Sequence, residues 1–209
     1  MNINNNSSAN QLLPGQDLRV GVDLIADKKD GALIVIGSTP KLDKISSGGI
    51  ILSDCNYSPE MLSELSKMDG AIVVDESVTK ILKANVHLNP SDTIATTQTG
   101  TRHRTAERTS VVTGLTVIAV SEETSLIKVF ENLETKELEE SSAILGRVNE
   151  SLQSVDRMRR RFDDAVTTLG ELEIENTLTN QEVLEVIQRG QLLTRLANQV
   201  KKEAFKLGE

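Results

Sequence analysis

The chain has no tryptophan and only four aromatic residues, Tyr57, Phe130, Phe162 and Phe205, among 209. Its core must therefore be built from Val, Ile and Leu, which the 38% hydrophobic content supplies. The single cysteine, Cys55, excludes an internal disulfide and a cysteine-based zinc site. Two histidines, His87 and His103, are too few for a multi-histidine metal centre. No apolar run approaches the roughly 20 residues of a spanning helix. The stretch Met1-Asn2-Ile3-Asn4-Asn5-Asn6-Ser7-Ser8 lacks the basic and apolar parts of a signal peptide. These absences predict a cytoplasmic protein with no membrane partner. Bases are outnumbered, 23 Lys and Arg against 31 Asp and Glu, for a net charge of −8. That balance argues against a general grip on nucleic-acid phosphates or anionic membranes. The common nucleotide signatures are also missing: there is no G-x-x-x-x-G-K-[ST] and no G-x-G-x-x-G.

What is present reads as two parts. Residues 1–12 are expected to be a disordered N-terminal segment, 13–135 an α/β domain and 136–209 an all-α connector. Leu12, Leu13, Leu18, Val22 and Ile25 suggest a first helix that ends near Asp30-Gly31. Ala32-Leu33-Ile34-Val35-Ile36 and Ala71-Ile72-Val73-Val74 are continuous apolar runs of strand length, as suits strands buried on both faces. Residues 37–56 read as loop around a short strand at Ile50-Ile51-Leu52. Ser58-Pro59-Glu60 marks a helix start, with a side-chain cap, a proline in the first turn and an acid at the positive helix end. Further strands are predicted from Thr79 to Val86, Leu115 to Val120 and Leu126 to Phe130. Asn89 to Thr105 reads as a long loop, of the kind that carries function in a compact domain. A helix from Thr105 to Thr113 is expected to be capped by Gly114. Beyond Glu131 no strand is expected. Helical periodicity runs from Glu137 to about Thr168 with a break at Gly170, and Thr179-Asn180-Gln181-Glu182 forms a capping box for a last helix to about Leu207.

Two places can carry chemistry. In Met68-Asp69-Gly70-Ala71 an acid sits at the mouth of a buried strand. Its carboxylate could hold Mg²⁺ or Mn²⁺ or take a proton from a hydroxyl. The plain alternative is an ordinary Asp-Gly turn. In Thr99-Gly100-Thr101-Arg102-His103-Arg104-Thr105 three threonines, two arginines and a histidine lie at or before a helix N-terminus. Backbone N–H groups, a helix dipole, hydroxyls and guanidinium forks are what a polyphosphate needs. Here the alternative is a solvated basic patch. Asp30-Gly31-Ala32 repeats the Asp-Gly-Ala text at another strand mouth and is a candidate second wall.

Asp69-Gly70-Ala71 followed by Arg102-His103-Arg104 resembles the motif pair of diadenylate cyclase domains. The longer texts Lys67 to Val73, Ala84-Asn85-Val86-His87-Leu88-Asn89-Pro90 and Gly100 to Arg108 resemble the bacterial DNA integrity scanning family over nearly the whole chain. The resemblance implies a diadenylate cyclase fold: a mixed central β-sheet flanked by helices, followed by an all-α connector. It implies condensation of two ATP into cyclic di-3′,5′-AMP and two pyrophosphates, with Mg²⁺ or Mn²⁺, in a homo-octamer whose active sites face each other. It gives Asp69 the metal and the 3′-hydroxyl. Gly70, Ala71, Leu88, Thr101, Thr105 and Ser121 would line the nucleotide site, and Arg102, His103 and Arg104 would hold phosphates and act in catalysis. With so few rings in the chain, adenine is expected between aliphatic side chains, Leu88 first. Family members continue into a DNA-binding helix-hairpin-helix domain, so this chain is expected to stop short of it and not to bind DNA itself. Where family members carry basic residues after the serine matching Ser121, this chain has Glu122-Glu123. The competing readings are a non-catalytic ATP or cyclic di-AMP binding module and a structural oligomerisation fragment.

Overall fold

A computed structural model of the chain describes residues 8–131 and 133–205. It divides into two compact units, the first up to Glu140 and the second from Ser141. The first contains α1 (Ser8–Gln11), α2 (Asp17–Asp27), β1 (Ala32–Ile36), α3 (Pro40–Ile45), β2 (Ser46–Ser47), β3 (Ile50–Asn56), α4 (Pro59–Leu65), β4 (Ala71–Val74), β5 (Lys80–Leu88), α5 (Thr101–Thr113), β6 (Thr116–Val120), β7 (Ile127–Glu131) and β8 (Glu134–Leu138). The second contains α6 (Ser141–Ile174) and α7 (Asn180–Phe205).

The strands form one eight-stranded sheet in the order β2-β5-β4-β1-β6-β7-β8, with β3 also paired to β5. Only β1 and β4 run parallel, Val35 opposite Val73; every other pairing is antiparallel. The sheet is therefore mixed, as expected. Every residue of β1, β4 and β6 is buried, because helices cover both faces of the sheet. Ile34, Ile36, Ile72 and Ile118 face one apolar layer with Leu18, Val22 and Ile25 of α2 and Leu62 of α4. Leu33, Val35, Val73, Val117 and Phe130 face the other, with Leu42 of α3 and Ala106 of α5.

Several local readings need correction. The disorder expected over 1–12 lies outside the described residues for 1–7; beyond them α1 is a helical turn, and Leu12 packs into the core. The stretch 37–56 is not mainly loop. Thr39 caps α3 by accepting from the Leu42 amide at 3.3 Å, with Pro40 in the first turn, and β3 runs for seven residues. β8 extends the sheet past residue 131 by pairing with β7, so the first unit runs beyond 135 and the helical part begins at Ser141. Gly170 does not break α6, which runs on to Ile174. Half of the Thr179 capping box is present: the Thr179 amide donates to the Glu182 carboxylate at 2.7 Å, while the Thr179 hydroxyl donates to the same carboxylate at 2.9 Å.

The second unit is an antiparallel helical hairpin. Gly190 of α7 packs against the Phe162 ring of α6, and Arg189 donates to the Arg161 carbonyl at 3.1 Å. No helix among the described residues is long and apolar enough to cross a membrane.

Candidate functional site

The parallel pairing of β1 and β4 places their N-terminal ends side by side, so Asp30-Gly31 and Asp69-Gly70 meet at one edge of the sheet. Antiparallel β6 ends at the same edge, Val120 opposite Ala32, and delivers Ser121 there. A cleft of about 1160 Å³ opens at this edge, beneath the N-terminus of α5. Of the ten predicted site residues, Asp69, Gly70, Ala71, Leu88, Thr101, Arg102, His103, Thr105 and Ser121 line it. Arg104 does not. It sits on the first turn of α5 with an exposed side chain, turned off the face that Arg102 and Thr105 present to the cleft.

The sequence predicts the start of α5 at Thr105; the helix begins at Thr101, so the Arg-His-Arg triplet lies within its first turn. Gly100 stands at the N-cap with φ of +82°, a conformation that suits glycine, and no side chain caps the helix. The first turn holds no acid. The unpaired amides and the positive dipole end are thus presented to the cleft, the geometry of an anion site.

Two glycines make the floor. A Cβ on Gly70 would lie 2.6 Å from the Asn85 carbonyl carbon. Asn85 has φ of +55° where the β4–β5 register shifts, so this bulge closes tightly over Gly70. A Cβ on Gly31 would lie 2.1 Å from Nη1 of Arg102, so the guanidinium rests directly on the Gly31 backbone. Of the candidate second wall Asp30-Gly31-Ala32, Gly31 alone lines the cleft, and it does so by leaving room for Arg102. The apolar lining is Leu33, Met68, Ala71, Val86, Leu88 and Leu126, and no Phe, Tyr or Trp among the described residues lines the cleft.

A family model described as "DisA bacterial checkpoint controller nucleotide-binding" matches residues 19–135, and one described as "DisA bacterial checkpoint controller linker region" matches 138–209. The chain belongs to this family. It is 44% identical over 197 residues to the DNA integrity scanning protein DisA of Kineococcus radiotolerans, covering 94% of this chain and 55% of that protein. It is 40% identical over 202 residues to the DNA integrity scanning protein DisA of Streptomyces griseus, covering 97% of this chain and 54% of that one. The chain thus spans about half the length of these relatives. Among solved structures, a hypothetical membrane spanning protein from Bacillus cereus superposes with a TM-score of 0.51 at 24% identity, over 58% of this chain and 61% of that one. That likeness concerns the fold alone.

Within this family frame, the electrostatics of the cleft are mixed. Lys29, Arg102 and Lys128 face Asp69, Glu122 and Glu123. Asp69 is exposed at the mouth of β4 and makes no hydrogen bond or ion pair among the described residues. Burial, then the charges of Lys128 and Arg102, hold the His103 imidazole below the ordinary histidine range. A neutral ring offers one donor and one acceptor at pH 7. The Ser121 hydroxyl accepts from the Thr124 amide at 3.2 Å, which leaves its own proton to donate into the cleft.

Sequence reasoning missed Lys29 and Lys128, because a lone lysine in a loop or on a strand carries no motif. Lys128 donates to the Gln98 side-chain oxygen at 3.0 Å. Glu107 and Arg108 close the long resemblance text but serve the loop: Thr96 donates to the Glu107 carboxylate, and Arg108 donates to the Ile94 carbonyl at 3.0 Å. Residues 89–99 are therefore fastened to α5 itself, which fixes Thr99 and Gly100 at the cleft. Among the described residues no group of three or more His, Cys, Asp or Glu is placed to hold a metal. A single exposed carboxylate still fits Mg²⁺ or Mn²⁺ held jointly with phosphate oxygens and water.

Proposed function

We propose that this chain is a diadenylate cyclase, condensing two ATP into cyclic di-3′,5′-AMP and two pyrophosphates. The observation that carries the reading is the meeting of Asp69-Gly70-Ala71 with the N-terminus of α5 in one cleft. An acid at one wall and an anion site at the other is the layout for moving a hydroxyl onto a phosphate. Family membership and the DisA relatives support it.

Adenine lies among Leu33, Val86, Leu88 and Leu126, with the triphosphate toward Thr101, Arg102 and the free amides of α5. Each ATP presents its 3′-oxygen to the α-phosphorus of the facing ATP. The new P–O bond forms as the bond to the β-phosphate breaks, and pyrophosphate leaves. Asp69 takes the hydroxyl proton, and neutral His103, Arg102 and Lys128 stabilise charge that gathers on the phosphoryl oxygens. Held by Asp69 and the phosphates, Mg²⁺ or Mn²⁺ would supply charge neutralisation. The product is two-fold symmetric, so an isologous pairing of subunits brings two clefts into register, and such pairs build the octamer. Arg104 lies outside its own cleft, so we assign it no role there. A substrate as common in the cytoplasm as ATP, and a chain with a single cysteine, fit a cytoplasmic setting.

Incubating the protein with ATP and Mg²⁺ or Mn²⁺ and separating the products tests the reading. Cyclic di-AMP and pyrophosphate in a 1:2 ratio are expected from two ATP. Tight ATP binding with no product would instead favour a sensing module built on the same cleft.

A further inference from the structure

The acids that follow Ser121 are placed where they act on the ligand. Ser121 to Leu126 form a tight connection from β6 to β7. The Ser121 amide donates to the Leu126 carbonyl at 2.9 Å and the Ser125 amide to the Ser121 carbonyl at 3.0 Å. The Ser125 hydroxyl ties the turn to α2 through the Ala26 carbonyl at 2.9 Å. A turn fastened at both ends cannot carry Glu122 away from the cleft. Arg102 lies against Gly31 on one side, and its Nη1 stands 3.9 Å from the Glu122 carboxylate on the other.

The side chains are 32% and 68% exposed, so the ion pair itself contributes little to stability. Its effect falls on what enters. A phosphate that engages Arg102 comes close to the Glu122 carboxylate, which stands 3.9 Å from Nη1 on a turn whose backbone is held in place. With three cations matched by three carboxylates, the cleft has no surplus positive charge to offset this. Repulsion then grows with each negative charge on the ligand.

Resting on the nucleotide reading above, we infer that Glu122 is a specificity-determining residue that makes this cleft select by ligand charge, holding off uncomplexed triphosphate while admitting the less charged cyclic dinucleotide. The experiment measures affinity for ATP and for cyclic di-AMP in wild type and Glu122→Gln, by calorimetry in EDTA at low salt, where ATP is not consumed. Glu122→Gln keeps the size of the side chain and removes only its charge. It is expected to bind ATP about five-fold more tightly, and cyclic di-AMP less than about two-fold more tightly, with the ATP gain shrinking as salt is raised. Unchanged ATP affinity, or an equal gain for both ligands, would overturn the role of Glu122 and leave the nucleotide reading standing. Wild-type protein that binds neither ligand in EDTA, and does not bind ATP when Mg²⁺ is restored, would bring down both.

Discussion

Asp69 stands exposed at a strand mouth with no partner among the described residues, so its charge can be removed without disturbing packing. Asp69→Asn is expected to lower cyclic di-AMP formation by at least about 100-fold, the usual reach of a general base. Its melting temperature should stay within about 2 °C of wild type. A variant that fails to fold would make Asp69 structural. His103 carries the pH dependence. Its folded-state pKa lies below the ordinary value through burial first and then Lys128 and Arg102. The unfolded chain therefore binds the proton first. The contribution to stability is complete above the ordinary histidine pKa of about 6.5 and is lost as pH falls through that value toward the folded one. Lys128→Gln removes the second cause. The NMR titration of His103 should move up in that variant, and an unmoved titration would leave burial and Arg102 to account for the shift.

At the scale of elements, the two glycines of the floor make opposite demands. The nearest atoms facing Gly70 are the carbonyl carbon and Cα of Asn85 at a bulge between two strands, backbone that cannot readily retreat, with the Asn85 Oδ1 beside them. Gly70→Ala should lose about 1–3 kcal/mol in urea unfolding, the range of a steric insertion into packed structure. The atoms facing Gly31 are the far end of the flexible Arg102 side chain. Gly31→Ala should stay within about 0.5 kcal/mol of wild type, yet bind ATP more weakly because Arg102 is pushed from its place. The same contrast explains what was legible. β1, β4 and β6 announce themselves as unbroken apolar runs because the sheet buries both their faces. β8, Glu134–Leu138, is an edge strand whose first four residues are exposed Glu, Thr and Lys; its one apolar residue, Leu138, packs on the core opposite Ile127, and a single leucine cannot separate a strand from the helical periodicity that follows. Gly170 reads as a stop, yet a glycine inside a long helix costs only about 1 kcal/mol, and the 34-residue α6 absorbs it. Asp69 and Arg102 were legible as motifs. Lys29, Lys128 and the Arg102–Glu122 pairing were not, because only the turn from β6 to β7 and the fold of the sheet edge bring them together.

At the scale of the assembly, the two-fold symmetric product of the proposed reaction makes that reaction a test of how subunits pair. In the facing arrangement each cleft contributes one 3′-hydroxyl and one α-phosphate, so ring closure needs two working copies of Asp69. A pair of one wild-type and one Asp69→Asn subunit forms one phosphodiester bond and stops at a linear dinucleotide that still carries a triphosphate. If equal amounts of the two proteins are dissociated and reassembled at random, about one pair in four has both acids. Cyclic di-AMP should fall to about a quarter of that from an equal total of wild-type protein, with the linear dinucleotide appearing beside it. Subunits that each completed the cycle alone would give half the cyclic product and no linear species. The two outcomes separate a reaction shared across an interface from one confined to a single cleft, because the unfinished bond is itself the record of which subunit lacked its acid.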